Sequence, residues 1–183
     1  MSNLNLTIFN FIHNFSGQFG ILDLIGVFFA KYLAYLLVLV AIILFFKQKG
    51  WKSRFYFFSL ASLSLILSRG IITEIFRYFY RHPRPFDALG FSPLIPESGN
   101  SFPSGHMTFF FALALVVFYI DKKWGWRFLS LSAVMGLARI YVGVHWPADI
   151  LGGAIIGLLC AWFAYTVLPK PEATNDQQEV LPI

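Results

Sequence analysis

Charge is scarce in this chain of 183 residues. Only 13% of the residues are charged, 57% are hydrophobic, and the mean hydropathy is +0.66. A soluble globular domain carries about 25% charged residues, so the composition excludes that class and indicates an integral membrane protein. We expect one membrane domain over residues 1–168 and a polar, disordered tail over residues 169–183.

Cysteine and acidic residues are also rare. The one cysteine, Cys160, lies in an apolar run, so it cannot form an intrachain disulfide. Nine acidic residues stand against fourteen Lys and Arg, but the cations flank apolar segments or lie in short motifs, which argues against nucleic acid as a partner. No cluster of carboxylates or cysteines suits a metal cage, so we expect no metal and no other cofactor. No basic region precedes the first apolar stretch, so we expect no cleaved signal peptide.

Long apolar runs are abundant, and five of them suit membrane spans, since a helix needs about 20 residues to cross a bilayer. We place the spans at about residues 22–46, 55–80, 105–120, 126–141 and 147–168. Ahead of them, apolar residues recur at helical spacing among polar ones: Leu4, Ile8, Phe11, Ile12 and Phe15. This pattern predicts an amphipathic helix over about residues 4–16 in the membrane interface. The expected fold class is an all-α integral membrane bundle of five transmembrane helices with that N-terminal helix.

The distribution of lysine and arginine predicts the orientation. Two of the loops between spans are rich in cations: Lys47, Lys49, Lys52 and Arg54 after the first span, and Lys122, Lys123 and Arg127 after the third. Cytoplasmic loops carry such an excess, so we expect the N-terminus outside and the C-terminus in the cytoplasm. Lys31 lies inside the first span and is tolerable there if it faces other helices or an aqueous cleft.

Three short motifs stand out in the otherwise apolar sequence. They are Arg77-x6-Arg84-Pro85, Pro103-Ser104-Gly105-His106 and Arg139-x5-His145-x3-Asp149. All three fall on the expected outer side of the membrane. Burying an unpaired arginine is costly, so a cluster of three implies an anion that they bind in common.

The chemistry of the motifs suits phosphoryl transfer. The free amides at the start of the third span, with Ser104 as N-cap and Gly105 permitting close approach, form an anion site. Arginines match the charge and geometry of a phosphate. His145 and Asp149 are one helical turn apart, so the carboxylate can orient the imidazole. With two histidines, one can attack phosphorus while the other protonates the departing oxygen. Taken singly, the tetrapeptide could be an ordinary helix start and the His–Asp pair a structural hydrogen bond.

Together, the motifs resemble those of the type 2 phosphatidic acid phosphatase (PAP2) superfamily, K-x6-RP, PSGH and SR-x5-H-x3-D, over about residues 77–149. The resemblance implies a PAP2-type helical bundle in which His145 forms a phosphohistidine, Asp149 orients it, and His106 is the general acid and base. It implies that five residues bind phosphate: Arg77, Arg84, Ser104, Gly105 and Arg139. Arg77 replaces the family's lysine and Ala138 its serine, from which we expect altered affinity rather than lost activity.

Three more polar residues lie beside the motifs. Arg69 shares a helical face with Arg77, so it can either extend the polar cleft or form a buried ion pair. We favour the ion pair. Glu74 can pair with Arg77 at i+3. His82 can touch a second phosphate, but a solvated loop histidine is the simpler interpretation.

Within the superfamily, the stretches at residues 79–86 and 101–104 are similar to those of bacterial undecaprenyl-diphosphate phosphatases of the bacitracin-resistance type. This implies a metal-independent lipid phosphatase of the bacterial inner membrane that makes undecaprenyl phosphate at the outer face for cell-wall synthesis. Phosphatidate, phosphatidylglycerophosphate and lipid A phosphate are alternative substrates. A non-catalytic phospholipid binder or flippase is the remote alternative. Membrane lipids are the expected partners, and the oligomeric state stays open.

Overall fold

The computed structural model describes residues 3–170, and within that range the chain is helical, with no strand. The helices are α1 (Asn3–His13), α2 (Gly20–Phe46), α3 (Trp51–Phe79), α4 (Pro85–Leu89), α5 (Gly105–Ile120), α6 (Lys122–Tyr141) and α7 (Pro147–Val167). The tail expected to be disordered lies, from residue 171 on, outside the described residues.

Within residues 3–170, three helices are long and apolar enough to cross a membrane: α2, α3 and α7, with 27, 29 and 21 residues. Helix α5 is apolar but has 16 residues, a length of about 24 Å against a hydrocarbon core of about 30 Å. Helix α6 has 20 residues but is not apolar enough to be counted with these three. The chain is a membrane protein, and the count of five spans remains a prediction.

Two helices begin four residues before the predicted spans, because local backbone signals extend them past the apolar runs. Helix α3 begins directly after Gly50, whose φ of 81° lies in the left-handed region that glycine tolerates. Helix α6 begins after Asp121, whose carboxylate accepts a hydrogen bond from the Trp124 amide at 3.0 Å. The segment between the second and third predicted spans is also not a simple loop, since it contains α4, with Pro85 in its first turn.

Helix α5 is the centre of the bundle and packs mainly against α6 and α7. Two glycines of α7 set the closeness of that contact. A Cβ atom added at Gly153 would lie 2.7 Å from the Ser104 carbonyl oxygen, and one at Gly157 would lie 2.6 Å from the Thr108 carbonyl oxygen. This glycine pair therefore brings two helix backbones together within the chain. The contact also fixes the start of α5, where the Ser104 amide donates to the Asp149 carbonyl oxygen at 3.1 Å.

Helices α2 and α3 each contain a π-helical segment, at Phe28–Tyr32 and Ile66–Ile72. In the first segment, the Ala30 carbonyl oxygen accepts a hydrogen bond from Arg139 Nη1 at 3.2 Å. In the second, the Ser68 carbonyl oxygen accepts one from Thr73 Oγ1 at 2.8 Å. Such segments are rare and frequently mark functional sites. Hydrophobic periodicity did not indicate them.

Helix α1 has two apolar faces. Phe9 is fully buried in a cluster with Ile140 and Trp146, so one face packs on the bundle. Of the residues predicted to form the apolar face, Ile12 packs against this cluster, whereas Leu4 and Phe11 are 69% and 73% exposed. The helix ends at His13, three residues before the predicted end. Its place in the membrane interface remains a prediction.

The two ends of the bundle differ in character. Lys47 from the α2–α3 junction lines a cavity together with Asp121 and Trp124 from the α5–α6 junction, so these two junctions share one end. The three motifs lie at the opposite ends of the same helices, where α3 and α6 end and α5 and α7 begin.

Candidate active site

A cavity of about 370 Å³ opens at the motif end of the bundle. Its lining includes seven of the residues singled out in the sequence: Arg69, Arg77, Arg84, Gly105, His106, Arg139 and His145. Groups separated by up to 76 positions in the chain, from Arg69 to His145, thus share one cavity. The tertiary structure places residues of all three motifs around this cavity.

Asp149 is held by three donors at one oxygen. Its Oδ2 accepts hydrogen bonds from the Trp146 amide at 2.9 Å and from Ser101 Oγ, and lies 3.3 Å from His145 Nδ1. Both members of the His–Asp pair are almost completely buried. Because a carboxylate only accepts, His145 Nδ1 carries the proton of that contact and Nε2 keeps a free lone pair.

The free nitrogen of His145 faces the arginines. Nε2 lies 3.5 Å from Arg84 Nη1. Burial lowers the pKa of His145 well below its ordinary value, and the nearby positive charges of Arg139 and Arg84 lower it further. The imidazole is therefore neutral at pH 7, which is the form that can act as a nucleophile.

Arg84 is fixed by backbone carbonyls of the loop around it. Its Nη1 donates to the Val144 carbonyl oxygen at 2.9 Å, its Nη2 to that of Ser98 at 3.0 Å, and its Nε to that of Gly99 at 3.0 Å. The Arg84 side chain is 3% exposed. Such a guanidinium is preorganised to meet an anion at one place beside His145.

Glu97 completes this cluster, although it lies outside the three motifs and was not among the predicted site residues. Its carboxylate bonds to Arg139 Nη2 and lies 3.7 Å from Arg84 Nη2. Burial alone would raise the pKa of Glu97, but the attraction of Arg139 and Arg84 outweighs it and the pKa is lowered. An internal carboxylate thus lies between two of the motif arginines. One signal was present, because Glu97 is the single carboxylate between Asp87 and Asp121.

Arg69, Glu74 and Arg77 form a second ion cluster at the end of α3. Arg69 Nη1 lies 2.5 Å and Arg77 Nη1 3.6 Å from Glu74 Oε1. The expected ion pair of Arg69 is present, but it is not buried, since the Arg69 and Glu74 side chains are 40% and 53% exposed. The ion pair is exposed because Arg69 lines the open cavity. Arg69 therefore also extends the polar cleft.

The start of α5 differs from the expected capped helix. Ser104 occupies the N-cap position, yet its hydroxyl makes no capping hydrogen bond and is buried with no partner within residues 3–170. At Gly105, an added Cβ would lie 2.9 Å from Arg69 Nε and 3.3 Å from Arg77 Nη2. Glycine therefore lets two guanidiniums lie against the helix start.

Unpaired polar atoms concentrate in the motifs. In the described part of the chain, six buried side-chain nitrogens and oxygens have no hydrogen-bond partner, and four of them belong to motif residues: Arg77 Nε, Ser104 Oγ, Arg139 Nε and Asp149 Oδ1. Leaving such atoms unpaired is costly. Arg77 and Arg139 also line the cavity, so two of these unpaired nitrogens belong to residues that a polar ligand there can reach.

The two remaining histidines of this region differ in placement. His106 lines the cavity from the first turn of α5. His82 is half-buried, stacks on the Tyr80 ring with centroids 5.4 Å apart, and is absent from the described lining of the cavity. The structure thus brings His106 to the site and leaves His82 in the neighbouring loop.

Among residues 3–170, no group of three or more His, Cys, Asp or Glu side chains is placed to hold a metal ion. Metal independence itself stays a prediction.

Comparison with known proteins agrees with this geometry. The sequence profile of the PAP2 superfamily matches residues 57–172. The undecaprenyl-diphosphatase BcrC of Bacillus subtilis (strain 168) is 33% identical over 173 residues, covering 92% of this chain and 87% of that protein. The bacitracin transport permease protein BcrC of Bacillus licheniformis is 32% identical over 171 residues, covering 92% and 83%. The crystal structure of Aquifex aeolicus LpxE is 29% identical, with a TM-score of 0.74 over 90% of this chain and 96% of that one. The chain therefore belongs to the PAP2 superfamily and is a membrane lipid phosphatase.

Proposed function

We propose that this protein releases the terminal phosphate of undecaprenyl diphosphate and leaves undecaprenyl phosphate. The observation that carries the mechanism is the neutral, buried His145, held by Asp149 and directed at the arginines of a cavity that His106 also lines. The similarity to the two BcrC proteins supports the choice of substrate. Roles in bacitracin resistance and cell-wall synthesis would follow from that substrate.

In the first step, His145 Nε2 attacks the terminal phosphorus. The bond between that phosphorus and the bridging oxygen breaks, and His106 gives a proton to the oxygen as it leaves with the lipid phosphate. Asp149 accepts the hydrogen bond of His145 Nδ1 and stabilises the positive charge that the ring gains. The substrate's own negative charge favours the protonated form of His106 that this step needs.

In the second step, water attacks the phosphohistidine. His106, now neutral, takes a proton from that water while the bond from phosphorus to Nε2 breaks. Inorganic phosphate leaves, and both histidines return to their starting protonation states. Five groups are proposed to hold the phosphoryl oxygens in both steps: Arg77, Arg84, Arg139, the Ser104 hydroxyl and the backbone at Gly105.

The same residues would serve phosphatidate, phosphatidylglycerophosphate or a lipid A phosphate. A panel assay separates these alternatives. The purified full chain in detergent with EDTA should release phosphate from all four lipids to some extent, with kcat/KM on undecaprenyl diphosphate at least roughly tenfold above the others, a difference that one further charged contact can supply. Comparable rates on all four lipids would contradict the substrate, and a requirement for added metal would contradict the mechanism.

The active site is proposed to face the outside of the bacterial inner membrane. In this arrangement α2, α3, α5, α6 and α7 all cross, α1 lies in the outer interface, and the C-terminus is cytoplasmic. The support comes from the bundle ends, because the lysine-rich junctions lie together at the end opposite the motifs and lysine-rich loops stay in the cytoplasm.

Cysteine labelling tests this orientation. In a Cys160→Ser background, Ser92→Cys lies in the loop before the second motif and Lys122→Cys at the start of α6, and both positions are exposed. A membrane-impermeant maleimide should label only the first in intact cells and both after permeabilisation. Labelling of Lys122→Cys alone in intact cells would place the site in the cytoplasm.

A further inference from the structure

A second cavity adjoins the active site and reaches the first membrane helix. It has a volume of about 280 Å³. Five residues line both cavities: Ala34, Tyr35, Glu97, His106 and Arg139. The two cavities are therefore adjacent and share part of their lining, and they are called two lobes below. Of the two lobes, only the second is also lined by Lys31, and it is called the Lys31 lobe below.

Lys31 has no role in the mechanism described above. It lies in the π-helical segment of α2, next to Ala30, whose carbonyl oxygen binds Arg139. No carboxylate of the described residues lies within ion-pair distance of it. Its ammonium lies 5.5 Å from the centroid of the Tyr32 ring, and a cation without a counter-ion in an apolar membrane helix is costly and is usually functional. Because Lys31 lines the same space as His106, a ligand in that space can supply the missing anion.

The balance of charge around the two lobes favours a strongly anionic ligand. The cations are Lys31, Arg69, Arg77, Arg84 and Arg139, and the carboxylates are Glu74, Glu97 and Asp149. Five positive charges against three negative ones leave an excess of two. A phosphate monoester carries about −1.5 to −2 charges at pH 7, and a second phosphate adds to this. Lys31 lies in the lobe where that additional charge would fall.

We infer that the Lys31 lobe binds the lipid-proximal phosphate of a diphosphate substrate, with Lys31 as its cation. This inference rests on the proposed function and deepens it. His106 protonates the oxygen that bridges the two phosphorus atoms. The terminal phosphorus must lie on the His145 side of that oxygen, so the other phosphorus lies on the opposite side, where the Lys31 lobe begins. When the bridging bond breaks, its electron pair goes to the departing lipid phosphate, and Lys31 stabilises the charge left there.

A matched pair of substrates isolates this contact. Farnesyl diphosphate and farnesyl phosphate have the same lipid and differ by the one phosphate that Lys31 is inferred to bind. Lys31→Met keeps a long side chain and removes the charge. It should lower the ratio of kcat/KM on the diphosphate to kcat/KM on the monophosphate by roughly tenfold to a hundredfold, the usual effect of losing one hydrogen bond to a charged group. Lys31→Arg keeps the charge and should retain most of the preference.

Two controls keep the outcomes separable. Lys47→Met makes the same change at the far end of α2, outside both lobes, and should leave the ratio unchanged. Thermal unfolding of each variant shows whether it is folded. Because both substrates are assayed on the same purified enzyme, the ratio of their kcat/KM values does not change with the fraction of protein that is folded. If Lys31→Met lowers kcat/KM equally on the two substrates, or on neither, the inferred role of Lys31 is wrong and the proposed function still stands. A wild-type enzyme that cleaves the monophosphate and not the diphosphate would overturn the proposed substrate and the lobe together.

Discussion

Replacing His145 with Gln is expected to lower kcat on undecaprenyl diphosphate by at least about 10⁴-fold, because the residue that bonds to phosphorus is lost and no other group can do its part. Nε2 of His145 faces Arg84, and the ring is held from behind by Asp149. Glutamine is close in size and can still accept or donate a hydrogen bond. The variant should therefore fold and bind lipid while failing to turn over.

The measurement is phosphate release by purified protein under single-turnover conditions, so that product release does not hide the chemical step. His82→Gln makes the same change at the histidine that stacks on Tyr80. It should keep kcat within about threefold of the wild type, as expected for a side chain that is remote from the reacting atoms. Turnover of His145→Gln above about one hundredth of the wild-type rate would contradict the nucleophile, since residues that act together in catalysis give far larger losses.

Replacing His106 with Ala is expected to lower turnover of the lipid diphosphate by about 10²- to 10⁴-fold, the usual value of a positioned general acid. The loss should depend on the leaving group. With p-nitrophenyl phosphate, the departing phenolate needs no proton, so the first step should stay fast. The second step should remain slow, because water is no longer activated.

A burst experiment reveals this difference between the steps. His106→Ala mixed with p-nitrophenyl phosphate should release close to one equivalent of p-nitrophenolate rapidly and then turn over slowly, the kinetic sign of a covalent intermediate. The wild type under the same conditions serves as the reference without a slow second step. A variant with no burst and the same fractional loss on both substrates would contradict the assignment of His106 as acid and base.

The sequence predicted the site largely through helix ends. Arg77 and Arg139 end one pair of helices, and His106 and Asp149 begin another. Once the helices cross the bundle in alternating directions, these ends meet at one face. That argument needs only span boundaries to within a turn, which hydrophobic runs supply.

Other parts of the site depend on contacts that a periodic pattern does not contain. Glu97 is 42 positions from Arg139, and Ser101 is 48 positions from Asp149. Both residues reach their partners through the path of the loop before α5, which tertiary packing determines. The surroundings of Ser104 are likewise set by packing: its amide donates to the Asp149 carbonyl oxygen, and its buried hydroxyl has no partner within residues 3–170.

The helix boundaries that differed from the prediction have a local cause. Gly50 and Asp121 start α3 and α6 ahead of their apolar runs, so Lys52 and Lys122 are helical although the hydropathy pattern assigned them to loops. The π-helical segments of α2 and α3 also depend on neighbours, since one of them offers its carbonyl oxygen to Arg139.

Direct identification of the covalent intermediate tests the mechanism most closely. The His106→Ala variant, whose first step stays fast with a leaving group that needs no proton, would be mixed with p-nitrophenyl phosphate labelled in its phosphate, quenched in base, digested and mapped by mass spectrometry. The mechanism predicts one phosphoryl group, stable in base and labile in acid, on His145, and none when His145→Gln is added to the same variant. Labelled phosphate on any other residue, or labelled product formed with no phosphorylated protein at any time point, would contradict it.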